Sequence, residues 1–141
     1  MVGSSVLKLV SMLALGPLVS VLPNGLVSHQ GRTDATVLHG VYTQGQASQG
    51  ERTFERICSA CHDTGEFTGG RFRLIWVGRT AADLFETMST LMPEGDPGSL
   101  TPDEYAALVA YVFSANGYPA GDEVLPSDLA LLRKFRIVEE D

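Results

Sequence analysis

Cysteine is scarce in this chain: two residues in 141, Cys58 and Cys61. With no second pair, a structural zinc site would lack half of its usual thiolate donors. Long apolar runs are also missing. Residues 9–22 (LVSMLALGPLVSVL) are too short to span a bilayer comfortably, and Gly16-Pro17 interrupts them. Positive charge is in the minority, with ten Lys and Arg against 17 Asp and Glu. That balance disfavours nucleic acid or an anionic membrane surface as a partner. Past residue 28 only two methionines remain, Met88 and Met92. No internal repeat, catalytic triad or metal-hydrolase constellation is visible.

What is present is concentrated in Cys58-Ser59-Ala60-Cys61-His62. C-x-x-C-H is the attachment signature of c-type haem. Each thiol can form a thioether to a haem vinyl group, and the adjacent imidazole can ligate the iron from one side. On a helix, positions i, i+3 and i+4 share a face, so all three side chains can point at one flat ring. Two cysteines allow one such haem. Three other readings are weaker. Zinc lacks further ligands, since His29 and His39 lie far upstream. A thioredoxin-like redox pair expects a βαβ context that nothing before Cys58 supplies. A plain disulfide leaves His62 unexplained.

Residues 1–28 read as a signal peptide or, alternatively, an uncleaved N-terminal anchor. Lys8 is the only charge before Arg32, and no A-x-A marks a cleavage site; Val19-Ser20 and Val27-Ser28 are the nearest small-residue candidates. Either way the folded part is expected to be exported, to the periplasm or beyond, and to meet a membrane only if the leader is retained. All 17 acidic residues follow residue 33, so the exported part carries about −8, with nine basic residues left. Such a surface suits docking to a basic patch, or serves solubility alone.

Residues 29–45 are polar and Gly-rich and read as a flexible linker, with Val37, Leu38, Val41 and Tyr42 available for local packing. From Gln46 the period is helical, with Ala47, Gly50, Phe54, Ile57 and Cys58 on one stripe. Residues 63–79 read as a loop with aromatic inserts lining a cofactor edge. A second helix is expected from Thr80, capped with Asp83, with Leu84, Phe85, Met88 and Leu91 inward. Prolines and glycines break residues 92–98. A third helix starts with Thr101 as cap, Pro102 in its first turn and Glu104 closing a capping box. Tyr105, Leu108, Val109, Val112 and Phe113 form its stripe, and Asn116-Gly117 ends it. A short helix near 127–135 follows. The expected division is a haem-holding helical domain over 46–120 and a C-terminal extension over 121–141 that packs on it. The class is all-α, with three to four helices around one covalently attached haem.

A sixth iron ligand has to come from elsewhere in the chain. Met92 precedes Pro93 at the start of the irregular segment, where a side chain can reach a haem face. Met88, inside the second helix, reads as core packing and is the alternative ligand; an open or His-ligated site is the third possibility. A Met/His pair raises the reduction potential and closes the iron to oxygen or peroxide. Such a protein carries single electrons and is not an enzyme. An open iron face would instead suit a haem enzyme or a gas sensor.

Over about residues 45–120 the chain resembles class I c-type cytochromes, which implies a small cytochrome c fold with its cytochrome c domain over 46–120. Gly50 and Phe54 match the glycine and aromatic where the N-terminal helix of that family crosses the C-terminal one, and Tyr111 matches the aromatic facing them. The stretch TLMPEGDPGSLTPDEYAALVAYVFSANGYPAG, with its M-P, P-G-S-L, E-Y, A-Y and N-G-x-P-A-G elements, is similar to cytochrome subunits and domains serving quinoprotein alcohol dehydrogenases. The resemblance implies a carrier taking electrons from a periplasmic dehydrogenase towards a terminal oxidase, or a tightly bound subunit of such a complex. It also marks a departure. Many members place a proline after the haem motif, and its carbonyl orients the proximal imidazole, whereas no proline lies between His62 and Pro93 here. Another acceptor for the second nitrogen of His62 is therefore expected. Trp76 and Arg79 are the candidates for bonds or charge pairing with the haem propionates, against ordinary packing and a solvated charge.

Overall fold

The computed structural model describes residues 35–139. The leader, His29 and the first part of the expected linker lie outside the described residues. From Ala35 onward the linker reading is corrected. Strand β1 (Ala35–Thr36) pairs in parallel with β2 (Phe135–Arg136), with Ala35 opposite Phe135. A 3-10 turn over Val37–His39 follows, and Val37, Val41 and Tyr42 are buried in the core. Partners far away in sequence hold this segment. The Tyr42 hydroxyl donates to the Tyr118 carbonyl at 2.6 Å, and Gly121 N–H donates to the Tyr42 carbonyl at 2.7 Å. Gly40 sits at φ 68°, and a Cβ there would press on the Gly121 backbone.

Helix α1 (Gln44–Thr53) begins where the Thr43 hydroxyl accepts from Gln46 N–H. Ala47, Gly50 and Thr53 face inward. The Gln46 side chain bonds both backbone groups of Leu125, at 2.9 and 2.8 Å. The chain then widens into a π-helical stretch over Phe54–Cys58, where Ser59 N–H reaches the Phe54 carbonyl at 3.0 Å. Such stretches are rare, occur mostly as single turns within helices and are frequent at functional sites.

Residues 63–79 are more regular than a loop. A 3-10 turn covers Thr64–Phe67, and helix α2 covers Gly69–Trp76. Two glycines open α2, and only Phe72 and Trp76, four residues apart, turn inward. So short an apolar stripe gives a weak periodic signal. Helix α3 (Ala81–Leu91) starts with the expected reciprocal Thr80–Asp83 cap and buries Ala81, Ala82, Leu84 and Phe85. Met88 is half-buried against the core, whereas Leu91 is exposed. Helix α4 (Pro102–Ala115) has the Thr101–Glu104 capping box and Pro in its first turn, and buries eight side chains. Gly117 closes it at φ 84°, a conformation that suits glycine.

The main packing is α1 across α4. A Cβ on Gly50 would collide with the Ala107 carbonyl and crowd the Tyr111 side chain, so glycine sets how closely the helices approach. Phe54 then packs on Tyr111 with the rings tilted by 44° and their centroids 5.4 Å apart. The C-terminal extension belongs to the same core. Leu125, Leu132 and Ile137 are almost wholly buried, and each contributes about 1.5–3 kcal/mol of burial free energy. Helix α5 spans only Leu129–Leu132, shorter than its sequence pattern suggested, because the chain turns into β2 at Phe135. The described residues form a small all-α cytochrome c fold with one two-residue strand pair.

Candidate functional site

The C-x-x-C-H pentapeptide closes the π-helical stretch as a tight turn. Cys61 N–H and His62 N–H both donate to the Cys58 carbonyl, at 3.0 and 2.9 Å. Ser59 adds a side-chain bond to the Glu55 carbonyl at 2.6 Å. These bonds gather Cys58, Cys61 and His62 within one turn, as their spacing predicts. Cys58 is half-buried against the core and Cys61 is exposed; both thiols are free. Burial pushes the Cys58 thiol up from its ordinary value. Two free thiols and an imidazole on one turn are the donor set that covalent haem c requires, and the residues present fit that group.

The turn is braced from α4. The Thr64 and Tyr111 hydroxyls bond at 3.1 Å. Asn116 donates to the Phe67 carbonyl at 2.8 Å and accepts from Gly69 N–H at 3.1 Å. Phe67 in turn meets Phe54 edge-on at 6.0 Å and the His62 ring at 5.3 Å. Asn116 stood out in the sequence only as a helix stop, and its bridging role depends on a contact 49 residues distant.

The expected acceptor beside His62 is Glu66, which sequence reasoning did not single out. His62 Nδ1 lies 3.3 Å from Glu66 Oε2. The other carboxylate oxygen accepts from Asp63 N–H at 3.2 Å, closing the capping box of the 3-10 turn. The Asp63 bond first, and the His62 bond second, hold the Glu66 carboxyl below its ordinary value. A signal was present in Asp63-x-x-Glu66, a capping-box spacing, and in the i, i+4 relation of Glu66 to His62.

Met92 stands where α3 stops. Its N–H caps the helix on the Met88 carbonyl at 2.9 Å, and its own carbonyl accepts from the Tyr105 hydroxyl at 2.7 Å. Tyr105 also accepts from Gly98 N–H at 3.1 Å, tying both ends of the Pro-Gly segment to α4. Met92 is exposed (37%), while Met88 packs on the core. Trp76 lies on the inner face of α2, and the Arg79 guanidinium sits 5.4 Å from the centre of its ring. Arg79 is exposed, and its carbonyl accepts from Ile137 N–H at 2.9 Å. Trp76 and Arg79 are thus paired with each other beside the C-terminal segment. Among the described residues no helix is long and apolar enough to cross a membrane.

Residues 45–112, just under half of the chain, match the family described as Cytochrome C oxidase, cbb3-type, subunit III. Neither curated proteins nor solved structures gave a match. The matched span begins in α1, includes the whole attachment turn and ends within α4. Attachment turn, helix crossing and family match agree: residues 45–112 are similar to a c-type cytochrome domain, and the residues present fit covalently bound haem c and haem-based electron transfer.

Proposed function

We propose that the chain is a monohaem carrier of single electrons between exported redox proteins, with His62 and Met92 as axial ligands. The observation that carries this reading is the attachment turn on Cys58, Cys61 and His62, followed by a methionine whose backbone is pinned as its helix ends. Bound haem supplies a one-electron ferric/ferrous couple. Cys58 and Cys61 hold it covalently, and His62 offers an imidazole from the same turn. The Met92 thioether is a soft, neutral donor that favours ferrous iron, raises the potential and excludes external ligands. Tyr105 and Gly98 hold the Met92 backbone, so little has to rearrange when the electron moves. Trp76 and Arg79 are proposed to face the propionates, the exposed guanidinium supplying the positive charge.

The test is optical. Oxidised wild-type protein should show the weak far-red charge-transfer band of methionine-ligated ferric haem, and Met92→Ala should lose it. If the band survives in Met92→Ala and disappears in Met88→Ala, the ligand is Met88. Carbon monoxide binding to wild-type protein without displacement of a ligand would instead mark an open iron face.

A second reading is a permanent subunit of a larger oxidoreductase. The matching family is described as a subunit of an oxidase, which favours it. The resemblance of residues 90–121 to cytochromes of quinoprotein alcohol dehydrogenases favours such a dehydrogenase as electron donor, with a terminal oxidase as acceptor. Co-purification with a large partner at fixed stoichiometry supports the subunit; a monomer reduced by a separate dehydrogenase supports the shuttle. Export to the periplasm accords with haem attachment outside the cytoplasm. Fractionation of cells with and without residues 1–28 tests it.

A further inference from the structure

Among the described residues Glu66 is the one carboxylate paired with the His62 imidazole, and its own carboxylate is held in place by a backbone bond. Its Oε1 is fixed by Asp63 N–H and its Oε2 lies 3.3 Å from His62 Nδ1. The 3-10 turn over Thr64–Phe67 brings it there, since the Asp63 side chain accepts from Gly65 N–H at 2.7 Å and starts that turn. The Phe67 and His62 rings also pack edge to face, with centroids 5.3 Å apart. A neutral imidazole with Nε2 bound to a metal carries its proton on Nδ1. A carboxylate acceptor there fixes the tautomer and ring orientation and raises ligand basicity.

We infer that Glu66 is the positioning residue of the axial histidine: its carboxylate accepts from His62 Nδ1–H, strengthens the opposite nitrogen as a donor and lowers the reduction potential of the haem. The inference rests on the reading of His62 as an axial ligand. A backbone carbonyl at this position would orient the ring with a neutral acceptor. A carboxylate adds a full negative charge one bond away, which stabilises the ferric state against the ferrous. The Met92 thioether works in the opposite direction, so the two sides of the ring set the potential between them.

The test is equilibrium redox titration of the haem-loaded full chain, with thermal unfolding measured alongside. Glu66→Gln keeps an amide oxygen to accept from Asp63 N–H but removes the charge from His62. Its reduction equilibrium should shift towards ferrous by about tenfold, equivalent to 59 mV for a one-electron couple, with the methionine band intact. Asp63→Asn is the charge control. It removes a charge next to His62 in sequence, and asparagine still caps the turn. Its shift should stay below about threefold, as for a screened surface charge. A Glu66→Gln potential equal to wild type, with only a lower unfolding midpoint, would leave Glu66 a helix cap and overturn the inference. Equal shifts in the two variants would also overturn it, leaving charge removal as the cause. If His62→Ala keeps the wild-type low-spin spectrum, His62 is not the ligand, and the inference falls together with the axial reading.

Discussion

The hydroxyl of Tyr105 donates to the Met92 carbonyl and accepts from Gly98 N–H, and the rest of the ring is buried against Phe85, 6.0 Å away. Tyr105→Phe keeps that packing and removes only the two bonds. We expect a loss of about 1–2 kcal/mol in stability, because both backbone groups lose a partner near the protein surface. The methionine band should also disappear at a lower temperature than global unfolding, which parallel heating curves in the far-red and far-ultraviolet will check. Coincident curves in wild type and variant would show that the loop has no independent hold on Met92. At this scale the sequence was partly legible. Cys58, Cys61 and His62 announce themselves because their chemistry depends on adjacent positions. Glu66 escaped because its value lies in where a 3-10 turn aims it, and residues 63–79 were read as irregular. Asn116 escaped because its partners, Phe67 and Gly69, are distant in sequence.

Helix starts were the most readable elements, since a cap is a local contract between four residues. Thr80 with Asp83 and Thr101 with Glu104 both formed the reciprocal bonds expected. Removing the second cap with Thr101→Ala should cost about 1 kcal/mol, read from the denaturation midpoint. The cap also gives a pH dependence. Bonds from Thr101, backbone N–H first, hold the Glu104 carboxyl below its ordinary value, and Thr80 does the same for Asp83. A carboxyl lowered in the folded state stabilises the fold above its unfolded pKa of about 4. That stabilisation is lost as pH falls through the folded value. The unfolding midpoint should therefore drop on acidification below about pH 4, with a shallower slope in Glu104→Gln; an unchanged slope would remove the linkage. The crossing of α1 and α4 was legible through Gly50, Phe54 and Tyr111. Gly50→Ala would gain helix propensity but meets the Ala107 carbonyl. Net destabilisation of about 1–3 kcal/mol is expected, and a more stable variant would mean the helices can separate without cost. Helix α2 was not legible, because Gly69-Gly70 and a two-residue inner stripe look like loop in one dimension.

Across the whole molecule, the segment expected as a linker is ordered from Ala35 onward and sends Val37, Val41 and Tyr42 into the core. Its anchors are Tyr118 and, in the C-terminal extension, Gly121 and the β2 strand. Contacts between chain regions some 80 residues apart leave no local pattern to read, whereas composition and charge are properties of the whole chain and were available at once. The acidic surface, if it steers docking, makes reduction by a partner with a basic patch slower as salt rises. Stopped-flow rates across a salt series test this, and a flat series would remove steering from the mechanism.

The account depends most on haem being held by thioether bonds at Cys58 and Cys61. Extraction of the purified, matured protein with acidified acetone measures that directly. Pigment should stay with the precipitated polypeptide in wild type and be released or absent when both cysteines are changed to serine. Pigment passing into the solvent from wild-type protein would contradict the account.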